Sequence, residues 1–165
     1  MPNPDEDTAL SAEQMEVWAA LATVLERLPT ALDAQLQRDS GLTHFEHGVL
    51  SALDGAPDRT LRMSTLAGYA SCTLSRLSRA VTRLEGKGWV RRTVDPGDGR
   101  FTLAELTEAG HDHVVVSTPA HQALVRRVVF DAVTPAQARQ LGVIGRRIAE
   151  AVGGGPVWTP PADAR

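Results

Sequence analysis

Apolar and polar positions separate most cleanly between Leu74 and Leu84. On a helical wheel Leu74, Leu77, Ala80, Val81 and Leu84 share one arc of about 120°, while Ser75, Arg76, Ser78, Arg79, Thr82 and Arg83 share another of roughly 160°. The first arc is a core-facing stripe, and the second is made only of side chains that can donate hydrogen bonds. Thr73 suits the N-cap, with Gly86 or Gly88 as the left-handed stop, which predicts a helix of about 13 residues. Alternation then takes over: WVRRTV and FTLAEL read as two strands around Asp95, Pro96, Gly97, Asp98 and Gly99, a turn signal. Arg100 closes that turn, where a hairpin tip would hold it in solvent.

The flanking segments are helical. Ser11 with Gln14, Thr43 with Glu46 and Thr134 with Gln137 each fit a capping box, the last with Pro135 at the first helical position. The first helix begins near Ser11 and is apolar at Met15, Trp18, Leu21, Val24, Leu25 and Leu28; Pro29 is expected to kink or interrupt it before it continues to about Arg38. A second helix is expected from about His44 to Leu53, a short strand at Thr60 to Arg62, and a short helix at Ser64 to Ala70. After the hairpin, Thr107 can cap a long helix from about Glu108 to Asp131, bent at Pro119, and a last helix runs from about Pro135 to Val152. Short helix, turn, donor-bearing helix and two-stranded hairpin make a winged helix-turn-helix. The predicted class is mainly α with a small two- or three-stranded antiparallel wing and a helical dimerisation region. Its parts are a flexible segment 1–10, a dimerisation helix 11–40, the winged unit 42–107, dimerisation helices 108–152 and a flexible tail 153–165. The last two helices carry apolar residues on more than one side, Val114, Val115, Leu124, Val125, Val128, Val129 and Phe130 on one and Ala138, Leu141, Val143, Ile144, Ile148 and Val152 on the other. Such helices are expected to be buried by a second copy of the chain, which would present two reading helices to a pseudo-palindromic duplex.

Charge changes the picture locally. The 165-residue chain has a net charge of −3. Yet Arg76 to Arg100 holds seven basic and three acidic residues, a net of +4, against two arginines and eight acids from Met1 to Phe45, a net of −6. A basic reading surface is thus averaged with an acidic region, and its partner is expected to be double-stranded DNA bound in a salt-dependent way. The helix is long enough to lie in a major groove, and an arginine at a protruding tip suits the negative potential of a narrow minor groove. No apolar run is long enough for a membrane span, and no signal peptide precedes the first helix, so a cytoplasmic location is expected. One cysteine excludes an intramolecular disulfide and any multi-cysteine zinc site. Sixteen arginines to one lysine suggest a GC-rich, bacterial genome.

Five stretches stand in order between Leu42 and Gly110: LTHFEHGVLSAL, RMSTLA, LSRLSRAVTRLEGKGWVRR, DPGDGR and LTEAG. With the helices up to Val152, they give the chain a resemblance to the MarR family of bacterial transcriptional regulators. The resemblance implies a triangular homodimer joined through its first, fifth and sixth helices, and repression, or sometimes activation, of promoters. It places Ser75, Arg76, Ser78, Arg79 and Arg83 where the family's recognition helix meets bases and phosphates, Arg100 at the wing-tip arginine and Asp98 at the acidic residue that supports the wing. With Thr73 and Thr82 these form the expected DNA-binding set. Gly99 stands where the middle arginine of Asp-Arg-Arg is usual, and Ser71 and Cys72 where Gly and Leu are common.

Many relatives release DNA when a small aromatic acid or phenol enters a cleft, and by analogy Trp18, Leu21, Phe45, His47 and His111 would line it here. No cofactor is expected. A metal-responsive alternative rests on His44, His47, His111, His113 and His121, but His111 and His113 do not have the three- or four-residue spacing of facing ligands on a helix. A redox-responsive alternative rests on Cys72 beside a helix N-terminus, against a filler in the turn. A winged helix that docks protein would carry more apolar anchors than this donor-rich face. An enzyme is not expected, for no nucleophile elbow, phosphate loop or carboxylate pair is present.

Overall fold

The computed structural model describes residues 9–153. The segments 1–10 and 153–165, expected to be mobile, lie outside the described residues apart from Ala9, Leu10 and Gly153. Helix α1 spans Ala12–Ser40 and α2 His44–Asp54; a single 3-10 turn at Pro57–Arg59 leads into strand β1, Thr60–Arg62. Helices α3 (Met63–Tyr69) and α4 (Leu74–Gly86) follow, then strands β2 (Val90–Val94) and β3 (Thr102–Leu106), helix α5 (Glu108–Val125), a π-helical turn at Arg126–Phe130 and helix α6 (Pro135–Val152). The fold is mainly helical, and its small sheet has three antiparallel strands in the order β1-β3-β2, with Leu61 and Arg92 both opposite Ala104. Its core gathers Leu36 of α1, Leu50 and Leu53 of α2, Leu66 of α3, Leu77, Val81 and Leu84 of α4, and Val90 and Ala104 of the sheet.

Helix starts follow their local chemistry. All three capping boxes form, at Ser11/Gln14, Thr43/Glu46 and Thr134/Gln137. Two expectations are corrected. Pro29 does not interrupt α1, which continues through it to Ser40 and closes on Gly41 at φ 65°. The proline removes one N–H, whose acceptor would be the carbonyl of Leu25 on an exposed stretch open to water, and Thr30 Oγ1 donates to Glu26 O beside it (3.1 Å). The long fifth helix keeps α geometry across Pro119 but ends at Val125, and its last turn widens to π spacing over Arg126–Phe130. A single-turn π segment leaves the apolar pattern of RRVVF unchanged, so periodicity does not reveal it.

The threonine and glycine of LTEAG have separate duties. Thr107 accepts from Gly110 N–H at the start of α5 while its hydroxyl donates to Gly88 O (2.7 Å), tying the helix to the end of α4. At Gly110 a Cβ would collide with the carbonyl of Trp89 and come within 2.7 Å of Leu106 Cδ1, so the absence of a side chain lets α5 approach the sheet. In contrast, α6 buries none of its residues, and Leu141, Val143, Ile144, Ile148 and Val152 are exposed on it.

Candidate nucleic-acid interface

Helix α4 runs for 13 residues from the Thr73 cap, whose hydroxyl accepts from Arg76 N–H (3.3 Å). Gly86 remains helical, and Gly88, at φ 74°, is the residue in the left-handed region. The phase read from the sequence is the observed one: Leu77, Ala80, Val81 and Leu84 are buried, while Ser75, Arg76, Arg79, Thr82 and Arg83 are exposed and Ser78 is half-buried; Leu74, at the helix start, is exposed.

The donors on this face are not equally free. Arg79 has no side-chain hydrogen bond or ion pair among the described residues. The guanidinium of Arg76 lies 4.5 Å from the ring centroid of Phe45, a cation–π contact that aims it along α2. Arg83 donates through Nε to Glu46 Oε1 at 2.6 Å. Glu46 is buried, and it also closes the α2 capping box by accepting from Thr43 N–H. Burial alone would raise its pKa, but the Thr43 N–H and the Arg83 guanidinium outweigh it and hold the carboxyl below its ordinary range. Ser78 and Thr82 are engaged from the wing: Arg92 Nη2 reaches Thr82 Oγ1 (3.0 Å), Ser78 O (2.7 Å) and Ser78 Oγ (3.3 Å).

The wing tip is braced by two aspartates. Asp95 accepts from Gly97 N–H (2.8 Å) and from Arg62 Nε (2.8 Å), and these contacts, led by the Gly97 N–H, keep its pKa low. Asp98 accepts from Arg100 Nη2 (2.6 Å) and from Arg100 N–H (3.2 Å), and the guanidinium is the main cause of its lowered pKa. The Arg100 side chain is nonetheless 84% exposed, at the far end of the hairpin. Gly99 is not in the left-handed region, and a Cβ there would make only an ordinary contact with Val94 Cγ1 (3.9 Å), so the backbone does not demand glycine there. The turn before α4 does carry strain: Ser71, a non-glycine residue, sits at φ 46°. Cys72 is half-buried against the core and donates its N–H to Ala67 O (3.1 Å).

Arg92, Glu46, Arg62 and Asp95 are absent from the sequence-derived site. A signal for Arg92 existed, since strand alternation puts it on the same face as the buried Val90, toward α4, while Arg91 points away to its ladder partner Glu105. Glu46 was legible only as the capping partner of Thr43, and nothing local tied it to Arg83 or Arg62 to Asp95.

A cleft of 1740 Å³ opens between α2, α4 and α5. Phe45 and His47 line it, together with Arg76, Arg79, Val114 and His121. Trp18, Leu21 and His111, expected there, are not in its lining: Trp18 is exposed on the outer half of α1, and Leu21 lies partly covered one turn further along it. His111 is on the same side of α5 as Val114 and Thr118 but does not itself reach the cleft, its Nδ1 being 2.6 Å from Oδ1 of Asp54 at the end of α2. His47 and His121 pack as rings with centroids 4.6 Å apart, His44 and His121 at 5.5 Å, and His113 stacks on Trp89. Burial, then the neighbouring His121, His44 and His113, pushes the pKa of His47 down to about 4. Among the described residues no group of three His, Cys, Asp or Glu side chains is arranged to hold a metal ion.

A sequence model of the MarR family matches residues 40–100. Sco3205, a MarR family transcriptional regulator from Streptomyces coelicolor solved in complex with DNA, is 44% identical over 93% of this chain and 98% of its own, with a TM-score of 0.86. The chain belongs to the MarR family. AbsC, another MarR family regulator from Streptomyces coelicolor, is 32% identical over 87% of this chain and 97% of its own, at a TM-score of 0.83. The uncharacterised HTH-type transcriptional regulator YdcH of Bacillus subtilis is 31% identical over 80 residues, 47% of this chain and 54% of that protein. This MarR-family chain spans about half the length of the curated relatives it matches. MarR-family proteins are transcriptional regulators rather than enzymes, and no helix among the described residues of this one is long and apolar enough to cross a membrane.

Proposed function

We propose that this MarR-family chain is a cytoplasmic regulator that binds pseudo-palindromic operator DNA as a homodimer, represses transcription there, and releases the DNA when a small aromatic acid or phenol occupies its cleft. The observation that carries the reading is a set of exposed cations on one face of α4 and at the wing tip: Arg79 without a partner among the described residues, Arg76 and Arg83 aimed by Phe45 and Glu46, and Arg100 paired with Asp98 yet exposed at the tip. Ser75, Arg76, Arg79 and Arg83, with the Thr73 cap, enter the major groove, and Arg100, steadied by Asp98, follows the minor groove beside it. The DNA in the Sco3205 structure, from a relative alike over nearly its whole length, supports that partner.

Homodimerisation is supported by α6, a capped 18-residue helix with an exposed apolar face and no buried residue. With Val17, Trp18, Val24 and Leu25 exposed on α1, it offers a second copy an apolar surface whose burial would stabilise the pair. The parts are then a dimerisation helix at 11–40, a reading unit at 42–107 and dimerisation helices at 108–152. Effector release is supported by the cleft, because Arg76 and Arg79 line it as well as the reading face, so an acid held there competes for the cations that meet DNA.

Selection of bound sequences from a random duplex pool tests the reading. A two-fold motif whose half-sites are about one helical turn apart is expected. Recovery of no motif, or of an unpaired half-site from a monomer, overturns it.

A further inference from the structure

The face read by the wheel as a row of six donors is interrupted by a side chain from outside the helix. Arg92 projects from β2 onto α4 and is held at five contacts. Its backbone N–H donates to Glu85 Oε1 (3.0 Å) and Nη1 to Glu85 Oε2 (2.7 Å), while Nη2 is shared among Ser78 O, Ser78 Oγ and Thr82 Oγ1. The Thr82 hydroxyl donates its own proton to Ser78 O (3.0 Å). With its hydrogen directed inward and one lone pair taken by Arg92, Thr82 has no donor left to offer a base edge. Ser78, half-buried, keeps only its hydroxyl proton.

We infer that Arg92 is a positioning and specificity-determining residue: a strut between wing and reading helix that fixes their relative angle and withdraws Thr82 from base readout. The inference rests on the DNA-reading function proposed above. Its chemistry requires a guanidinium, because the two terminal nitrogens serve different partners, Glu85 on one side and the Ser78/Thr82 turn on the other; a lysine has one nitrogen and no fork. The side chains of Arg92 and Glu85 are only 28% and 29% exposed, so the strut is partly shielded from competing water and salt. The helix then reads with Ser75, Arg76, Arg79 and Arg83, and the distance from those groups to Arg100 at the wing tip is set by Arg92. A fixed helix-to-wing geometry converts two separate groove contacts into one that accepts a single spacing between core bases and flanking A/T steps.

The test selects duplexes from a random pool with the wild-type chain, Arg92→Gln, Arg92→Lys and Thr82→Val, each checked for an intact fold by circular dichroism and thermal melting. Thr82→Val is expected to recover the wild-type motif. Arg92→Gln is expected to recover a motif with relaxed spacing between core and flank and at least about tenfold weaker discrimination against core mismatches. Arg92→Lys is expected to resemble Arg92→Gln rather than the wild type. A changed core motif for Thr82→Val overturns the inference, as does an unaltered motif with a uniform loss of affinity for Arg92→Gln, the mark of a phosphate contact. Full rescue by Arg92→Lys overturns it too. If Arg92→Gln does not fold, Thr82→Val and Arg92→Lys still decide. A wild-type chain that selects no motif refutes the DNA-reading function itself, whereas a wild-type motif shared by every variant refutes the strut alone.

Discussion

Acidification should destabilise the chain, most strongly through the imidazole of His47. His47 is 6% exposed, its Nε2 has no hydrogen-bond partner among the described residues, and it faces His121 across the α2–α5 seam, with His44 beside it on α2, His113 two turns earlier on α5 and Asp33 of α1 acting on His44. Its pKa falls from the ordinary 6.5 to about 4 in the folded state. The unfolded chain therefore binds a proton that the folded chain refuses between those values. The stabilising contribution is complete above about pH 6.5 and is lost as pH falls toward about 4, reaching roughly 3 kcal/mol in full and about 2 kcal/mol by about pH 5. His47→Gln removes the titration while keeping a polar side chain. Urea unfolding at one protein concentration, at about pH 7.5 and about pH 5, should show the wild type losing about 2 kcal/mol more than the variant over that interval. His44, His113 and His121 are depressed in the same direction by burial, so the variant keeps a residual slope and the difference between the two chains is the quantity of interest. Parallel losses in both chains would show that His47 is freely protonated in the fold, and the reasoning from its burial would fail.

Three further outcomes are expected. Gly110→Ala drives a methyl against the Trp89 carbonyl, which no rotamer can relieve, and should lower stability by roughly 3 kcal/mol or more, read as a fall in the unfolding midpoint; a loss under about 1 kcal/mol would mean that α5 is free to shift. Ser71→Gly should raise stability by about 1 kcal/mol by relieving a left-handed backbone, and a destabilised variant would place the residue outside that region in solution. Arg79→Ala should weaken operator binding by roughly 1 to 3 kcal/mol, and Arg100→Ala should lower affinity and alter preference at flanking A/T positions. Titration of both variants by fluorescence anisotropy at moderate salt checks this, and unchanged affinity in each would mean that the reading surface lies elsewhere.

The elements and their orientation were largely legible before folding was considered. Thr43 and Glu46, or Ser11 and Gln14, meet across three residues, so a capping box can be read from the chain, and all three form. The phase of α4 was legible for the same reason, because the docking stripe and the arginine face repeat within one turn of helix. Prolines misled, since an exposed helix tolerates one absent N–H; α1 passes Pro29 unbroken. The cleft was only half legible. Phe45 and His47 lie on a helix whose inward face is unambiguous, whereas Trp18 is exposed on α1, a helix with apolar residues on more than one side, and His111 faces α2 but is engaged by Asp54, a pairing across 57 residues that no local pattern marks.

What local sequence decides here is where helices begin, which face of α4 docks, and that a turn holds Arg100 out. Interactions within about four residues suffice for all of these. What the tertiary structure alone decides is which donors on that face are free. Glu46 reaches Arg83 across 37 residues, Arg62 reaches Asp95 across 33, and Arg92 closes on Ser78 from a strand that only the sheet brings near. A wheel counts donors by angle, but a hydrogen bond already made removes a donor from the count, and such bonds exist only once the wing has folded against the helix.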